Sequence, residues 1–181
     1  MENHVILEPH ECIVILDKNN NLNFYRGIDK HDVFIPQDCK ILVQNWAIDL
    51  EKSGTQSHKI LKFDTRRIYM DFEFTVVTRD YEKMLFHINV SWQIVDLGLM
   101  ILNTSDPQKY ICDVIRNGAI HESGKIKLLQ LMNSIDKIIE KINLDNKSYY
   151  ENIGIIIHKT SIITMEYIKN IPEPFGYNIK G

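Results

Sequence analysis

The residues best placed to do chemistry are Arg66 and Arg67, which follow Asp64-Thr65 at the start of an alternating stretch. Two neighbouring guanidinium groups beside a turn can clamp a phosphate or a partner's carboxylate, because each presents a planar fork of donors. The competing reading is a salt bridge from Asp64 that closes the strand start, and it is the simpler one. Asp71 and Glu73 lie two apart on one strand face, the arrangement that paired acids use, although outward solvated carboxylates share the pattern. His87 and His158 fall in two expected strands and could meet across a sheet. The seven histidines and three cysteines show no metal-ligand spacing. No phosphate loop, dinucleotide fingerprint, zinc-protease helix or nucleophile elbow is present. Catalytic, metal and cofactor residues are therefore expected to be none, with Arg66 and Arg67 kept as a possible partner contact.

The bulk composition narrows the classes further. At 181 residues the chain fits one ordinary domain, or one domain with a small satellite. Cys12, Cys39 and Cys112 are odd in number and widely spaced, which predicts free, mostly packed thiols in a reducing compartment. A net charge of −3 with lysines scattered among acids gives no basic face, so direct nucleic-acid binding is not expected. No apolar run approaches the roughly 20 residues of a membrane helix.

The elements that must position these groups read clearly. Ile68, Met70, Phe72, Phe74 and Val76 alternate with Asp71, Glu73 and Thr75. Phe86, Ile88, Val90, Trp92 and Ile94 alternate with His87, Asn89, Ser91 and Gln93. Period-two alternation is the mark of a half-buried strand, and the polar run 78–83 between the two makes an antiparallel hairpin. Upstream, short strands are expected over 5–7, 12–16, 22–26 and 32–35, with one strand over 41–50. Residues 51–59 read as a polar linker, and 59–64 as a strand leading into the hairpin. Downstream, Asp96 can cap a short helix over 97–102. Asp106-Pro107 starts a second, since a capping carboxylate followed by proline costs no helical bond. Leu128, Leu131, Met132, Ile135, Ile138, Ile139 and Ile142 mark a third helix at helical spacing. One further turn over 148–152 and a long strand over 155–168 complete the order. Prolines at 172 and 174 then stop the ladder. The expected fold class is α+β, a mainly antiparallel sheet covered by helices on one side and preceded by a small antiparallel β repeat.

Several of these residues carry a resemblance. Thr78-Arg79-Asp80 resembles the T-x-D turn between the two long strands of band 7 (SPFH) domains. Trp92-Gln93-Ile94-Val95-Asp96 resembles the family's ending of the second strand, and Ile153-Gly154-Ile155-Ile156-Ile157 its entry to the last strand. Phe63-Asp64-Thr65-Arg66 with Tyr69-Met70 is closest to the version found in the shoulder of major vault proteins. Residues 12–27 resemble a vault-type β repeat that ends at Arg-Gly. The resemblance implies a β repeat over 1–58, an SPFH domain over 59–170 and a proline-containing tail over 171–181. It also implies a non-enzymatic structural module that self-associates into a homo-oligomer or joins related shell subunits of a cytoplasmic, vault-type ribonucleoprotein particle. The alternative is a membrane-associated scaffold of the stomatin and prohibitin kind; membrane contact belongs to that alternative only, and it normally uses an N-terminal hydrophobic or acylated anchor that is not seen here. Family members usually continue into a long helix, so a fragment or a shortened member is expected.

Overall fold

The computed structural model describes residues 3–47 and 57–169. Eight short and medium strands come first: β1 (Asn3–Ile6), β2 (Glu11–Leu16), β3 (Leu22–Arg26), β4 (Asp32–Ile35), β5 (Lys40–Ile41), β6 (Gln44–Ala47), β7 (Ser57–Ile60) and β8 (Phe63–Asp64). The long hairpin follows as β9 (Ile68–Val77) and β10 (Lys83–Ile94). Four helices, α1 (Leu97–Asn103), α2 (Pro107–Ser123), α3 (Leu128–Asp145) and α4 (Lys147–Asn152), lead to the last strand, β11 (Ile155–Ile168). The strand pairs described are all antiparallel, and the fold is α+β.

The hairpin sets the register of the main sheet, whose order is β11-β10-β9. Phe74 faces Phe86, Phe72 faces Ile88 and Met70 faces Val90, so the apolar members of both strands share one face. That face is buried, with Phe86, Ile88, Val90 and Trp92 wholly closed to solvent. At roughly 1.5–3 kcal/mol for each fully buried large side chain, it is the main source of cohesion. Helix α2 packs on β9 and on α3, and α3 also meets β11. Ile111, Ile115 and Ala119 of α2 and Leu131, Ile135, Ile139 and Ile142 of α3 complete the core. Met132, expected on the buried stripe of α3, is instead exposed.

Strand β2 divides its side chains between two cores. Cys12 and Val14 join the large core with Trp46, Phe63 and Trp92. Ile13 and Ile15 join a second, smaller core with Leu7, Val33 and Ile35. A strand buried on both faces must be apolar at successive positions, which is why Cys-Ile-Val-Ile-Leu runs without alternation. The N-terminal sheet, order β3-β2-β5 with β8 also on β2, is therefore built against the same core as the hairpin.

Three expectations about the middle of the chain are corrected. The single strand over 41–50 is broken: β5 ends at Ile41, Leu42 N–H still donates to Val14 O at 2.8 Å, and β6 then pairs with β7. Residues 48–50 lie outside the described residues, as does most of the expected linker, 51–56. The linker's last three residues belong to β7, where Lys59 faces Asn45 and His58 faces Trp46. Likewise the strand expected over 59–64 is two short pieces, β7 and β8, separated at 61–62. The proline tail lies outside the described residues.

Both helix starts expected from Asp96 and Asp106 are present. Asp96 Oδ1 accepts from Leu99 N–H at 2.9 Å, and Asp106 Oδ1 from Lys109 N–H at 2.9 Å. The remaining Asp106 oxygen, Oδ2, accepts from Ala47 N–H at 2.7 Å, so one carboxylate caps α2 and holds the end of β6. Gly154 closes the other end of the helical layer. Its carbonyl accepts from Val95 and Asp96 N–H at 2.9 and 3.0 Å, its φ is +71°, and a Cβ there would lie 2.1 Å from Asp96 O. Left-handed backbone against a carbonyl leaves room for glycine alone. Gly154→Ala is expected to lower unfolding stability by about 2–4 kcal/mol in urea titration, while Gly124→Ala, with right-handed backbone and only ordinary van der Waals contacts for a Cβ, stays within about 0.5 kcal/mol.

Candidate functional site

The arginine cluster is half resolved into a salt bridge. Arg66 Nη2 lies 2.7 Å from Asp64 Oδ2, its Nε donates to both carboxylate oxygens at 3.1 Å, and its backbone N–H donates to Asp64 Oδ1 at 2.8 Å. The Arg66 hydrogen bond holds the Asp64 carboxyl below the usual carboxylate range. A guanidinium used in this way is a poor clamp for a second anion. Arg67, by contrast, is exposed with no hydrogen bond or ion pair among the described residues. The structure thus separates the two arginines by role: one locks the strand start, the other is available.

The other candidates do not assemble into a reactive centre. Asp71 Oδ1 accepts from Asn89 Nδ2 at 2.7 Å, and Glu73 lies 3.7 Å from His87 Nδ1, each pair directly opposite across β9 and β10. His87 stands opposite Thr164, whereas His158 sits at a bulge and bonds Gln93 Oε1 at 2.9 Å, so the two histidines do not meet. Cys12 and Cys112 are buried free thiols. Burial pushes Cys112 up to about 12, leaving no thiolate at neutral pH. Among the described residues no group of three His, Cys, Asp or Glu could hold a metal ion.

What sequence reading missed is the work done by Thr78-Arg79-Asp80. Thr78 Oγ1 donates to Asp80 Oδ1 at 2.6 Å and accepts from Glu82 N–H at 3.1 Å, which closes the turn. The same Asp80 oxygen accepts from Leu128 N–H at 3.0 Å, and Arg79 N–H donates to Ile126 O at 2.9 Å. Here Asp80 satisfies a first-turn donor of α3 from a hairpin 48 residues earlier in the chain. Tyr81 follows with φ +65°, a left-handed conformation unusual for an aromatic residue, and its ring is exposed. Tyr167 O–H donates to Glu82, tying the tip to the end of β11. The signal available in the sequence was the Thr-x-Asp spacing, which announces a self-bonded turn but not the helix it caps.

The family model described as SPFH domain / Band 7 family matches residues 55–176. The chain belongs to this family. The match spans the hairpin, the four helices and the last strand in the order described above. SPFH/band 7 domains are generally non-enzymatic scaffold domains, and a scaffold-type role follows for this one. Among curated proteins none matches the chain. No helix among the described residues is long and apolar enough to cross a membrane.

The tip of this SPFH hairpin carries a pH signature. The Thr78 hydroxyl, with the Leu128 amide, holds the Asp80 carboxyl below its ordinary value. A depressed carboxyl contributes stability above its unfolded pKa of about 4 and loses it as pH falls through its folded value. Asp80→Asn is expected to lower the melting temperature at pH 7 and to flatten its decline as pH falls below about 4. Melting curves followed by circular dichroism across that range check both effects.

Proposed function

We propose that this chain is a non-enzymatic assembly subunit of the kind found in the shoulder of major vault protein, a brick of a cytoplasmic ring or shell whose partner is another copy of itself. The observation that carries the reading is the dense cross-linking of the N-terminal strands to the SPFH fold. Strand β2 lends Cys12 and Val14 to the large core, and β8 pairs with it at Glu11 and Cys12. Trp46 lies 6.1 Å from both Phe63 and Trp92. Its indole Nε1 donates to Gln44 Oε1 at 3.0 Å, and Gln44 Nε2 donates to Thr104 O at 3.1 Å. Thr65 N–H and Oγ1 both donate to His10 O, at 2.9 and 2.8 Å, while Thr65 O accepts from Gln93 Nε2 at 2.8 Å.

Such cross-links suit a load-bearing unit whose two parts must keep one angle in every copy. A regulatory or ligand-gated protein would gain more from a hinge at this position. The chemistry found among the described residues also favours a structural role, since polar side chains there pair with neighbours across strands instead of converging on a cleft.

Multi-angle light scattering and cryo-electron microscopy on the full chain test the reading. Closed particles many times heavier than the 21.3 kDa chain are expected as concentration rises. A chain that stays strictly monomeric overturns the proposal, and pelleting with anionic vesicles in place of self-assembly replaces it with the membrane scaffold.

A further inference from the structure

The main sheet ends on both sides in long strands whose outer edges have no strand partner among the described residues: β9 on one side and β11 on the other. An unpaired strand edge is a row of free backbone donors and acceptors, and it templates pairing unless something blunts it. The helical layer ends at the same two sides, with α2 over β9 and α3 over β11. Among the described residues each side thus ends in a strand edge backed by helices, with α4 also packed on β11.

The two edges differ in ways that make them complementary. Strand β9 is regular over its ten residues, without bulge or proline. Its exposed face carries only acidic charge, Asp71 and Glu73, flanked by Tyr69, which is 65% exposed. Strand β11 is interrupted twice by register shifts, opposite the steps His87/Ile88 and Ser91/Trp92 of β10. Bulges break ladder pairing locally, so they leave residues 159–162 as the regular window in the middle of that edge. The one charge in this window is Lys159, and it is exposed.

Both edge strands run antiparallel to β10 and are therefore parallel to each other. A second copy displaced sideways across the strands would bring its β9 against β11 in parallel pairing, with no turn or reversal required. The registers fix the levels: Tyr69 and Lys159 both stand opposite Ser91, and Asp71 and Ser161 both stand opposite Asn89. At that level Asp71 of one copy lies one diagonal step from Lys159 of the next, about 7–8 Å between backbones and within reach of a lysine side chain.

We infer that copies of this chain join head to tail by pairing the β9 edge of one with residues 159–162 of β11 in the next, matched by Asp71 against Lys159. The inference rests on the self-assembly reading above and names its contact. The interface is heterologous, using different surfaces on its two sides, so its repetition generates a ring or a filament and not an isolated dimer. The bulges on either side of the window restrict the ladder to one register, which keeps a long edge from pairing indiscriminately.

Charge reversal tests the contact. Both side chains are exposed, so Asp71→Lys and Lys159→Glu are expected to fold with melting temperatures near that of the parent, and light scattering reads assembly. Each single variant is expected to need at least about tenfold more protein for half-maximal assembly, because like charges then face each other. The double variant, and equally a 1:1 mixture of the two single variants, are expected to recover parental assembly. If the parent assembles and both single variants do so equally well, the edge contact is overturned while the assembly reading stands. If the single variants fail and neither the mixture nor the double variant recovers, the pairing of Asp71 with Lys159 is overturned. If the parent itself never assembles, the assembly reading fails first.

Discussion

Everything in this fold is arranged around the apolar face that β9 and β10 present together. Pairing Phe74 with Phe86, Phe72 with Ile88 and Met70 with Val90 fixes the register, since a slip by one residue would turn each of these side chains to water. Once that face exists it must be covered. Helices α2 and α3 cover it with their own apolar stripes, and Trp46, Phe63, Cys12 and Val14 close the remaining margin. The polar positions of the same strands are left to pair across the opposite face, as Asn89 does with Asp71 and Gln93 with His158.

The second constraint is the double duty of β2. A strand that serves two cores cannot move with respect to either without exposing apolar surface. Backbone ties run alongside it: β8 pairs with Glu11 and Cys12, Thr65 bonds His10, and Lys62 Nζ donates to both Ile6 O and Glu11 Oε2 at 2.8 Å. At the other margin, Asp106 caps α2 while holding Ala47. In a domain of a scaffold family, these ties bind the N-terminal strands to the SPFH core.

Much of this was legible in the sequence because its causes are local. Alternation over 68–76 and 86–94 is a property of neighbouring residues, and so are the Asp96 and Asp106 caps, the strands 22–26 and 32–35, and the Ile153-Gly154 entry to 155–168. The Asp64–Arg66 bridge was readable for the same reason, its partners lying two apart. What escaped depends on distant partners. Residues 57–59 are polar and look like a linker, but they become a strand because 44–47 lie beside them. The apolar run after residue 41 looks continuous, yet the chain leaves β2 and changes partner at Leu42–Val43, which alternation cannot encode. Likewise, nothing near Asp80 announces that it reaches Leu128.

Native-state hydrogen exchange across a denaturant series is the most direct measure of whether the N-terminal strands and the SPFH fold form one mechanical body. If β2 is the shared wall described here, the amides of Ile13, Val14 and Ile15 will exchange only through the same global opening as those of Ile88 and Val90, with equal free energies and equal denaturant dependence. Exchange of the β2 amides through a separate, cheaper opening while β10 stays protected would contradict the account.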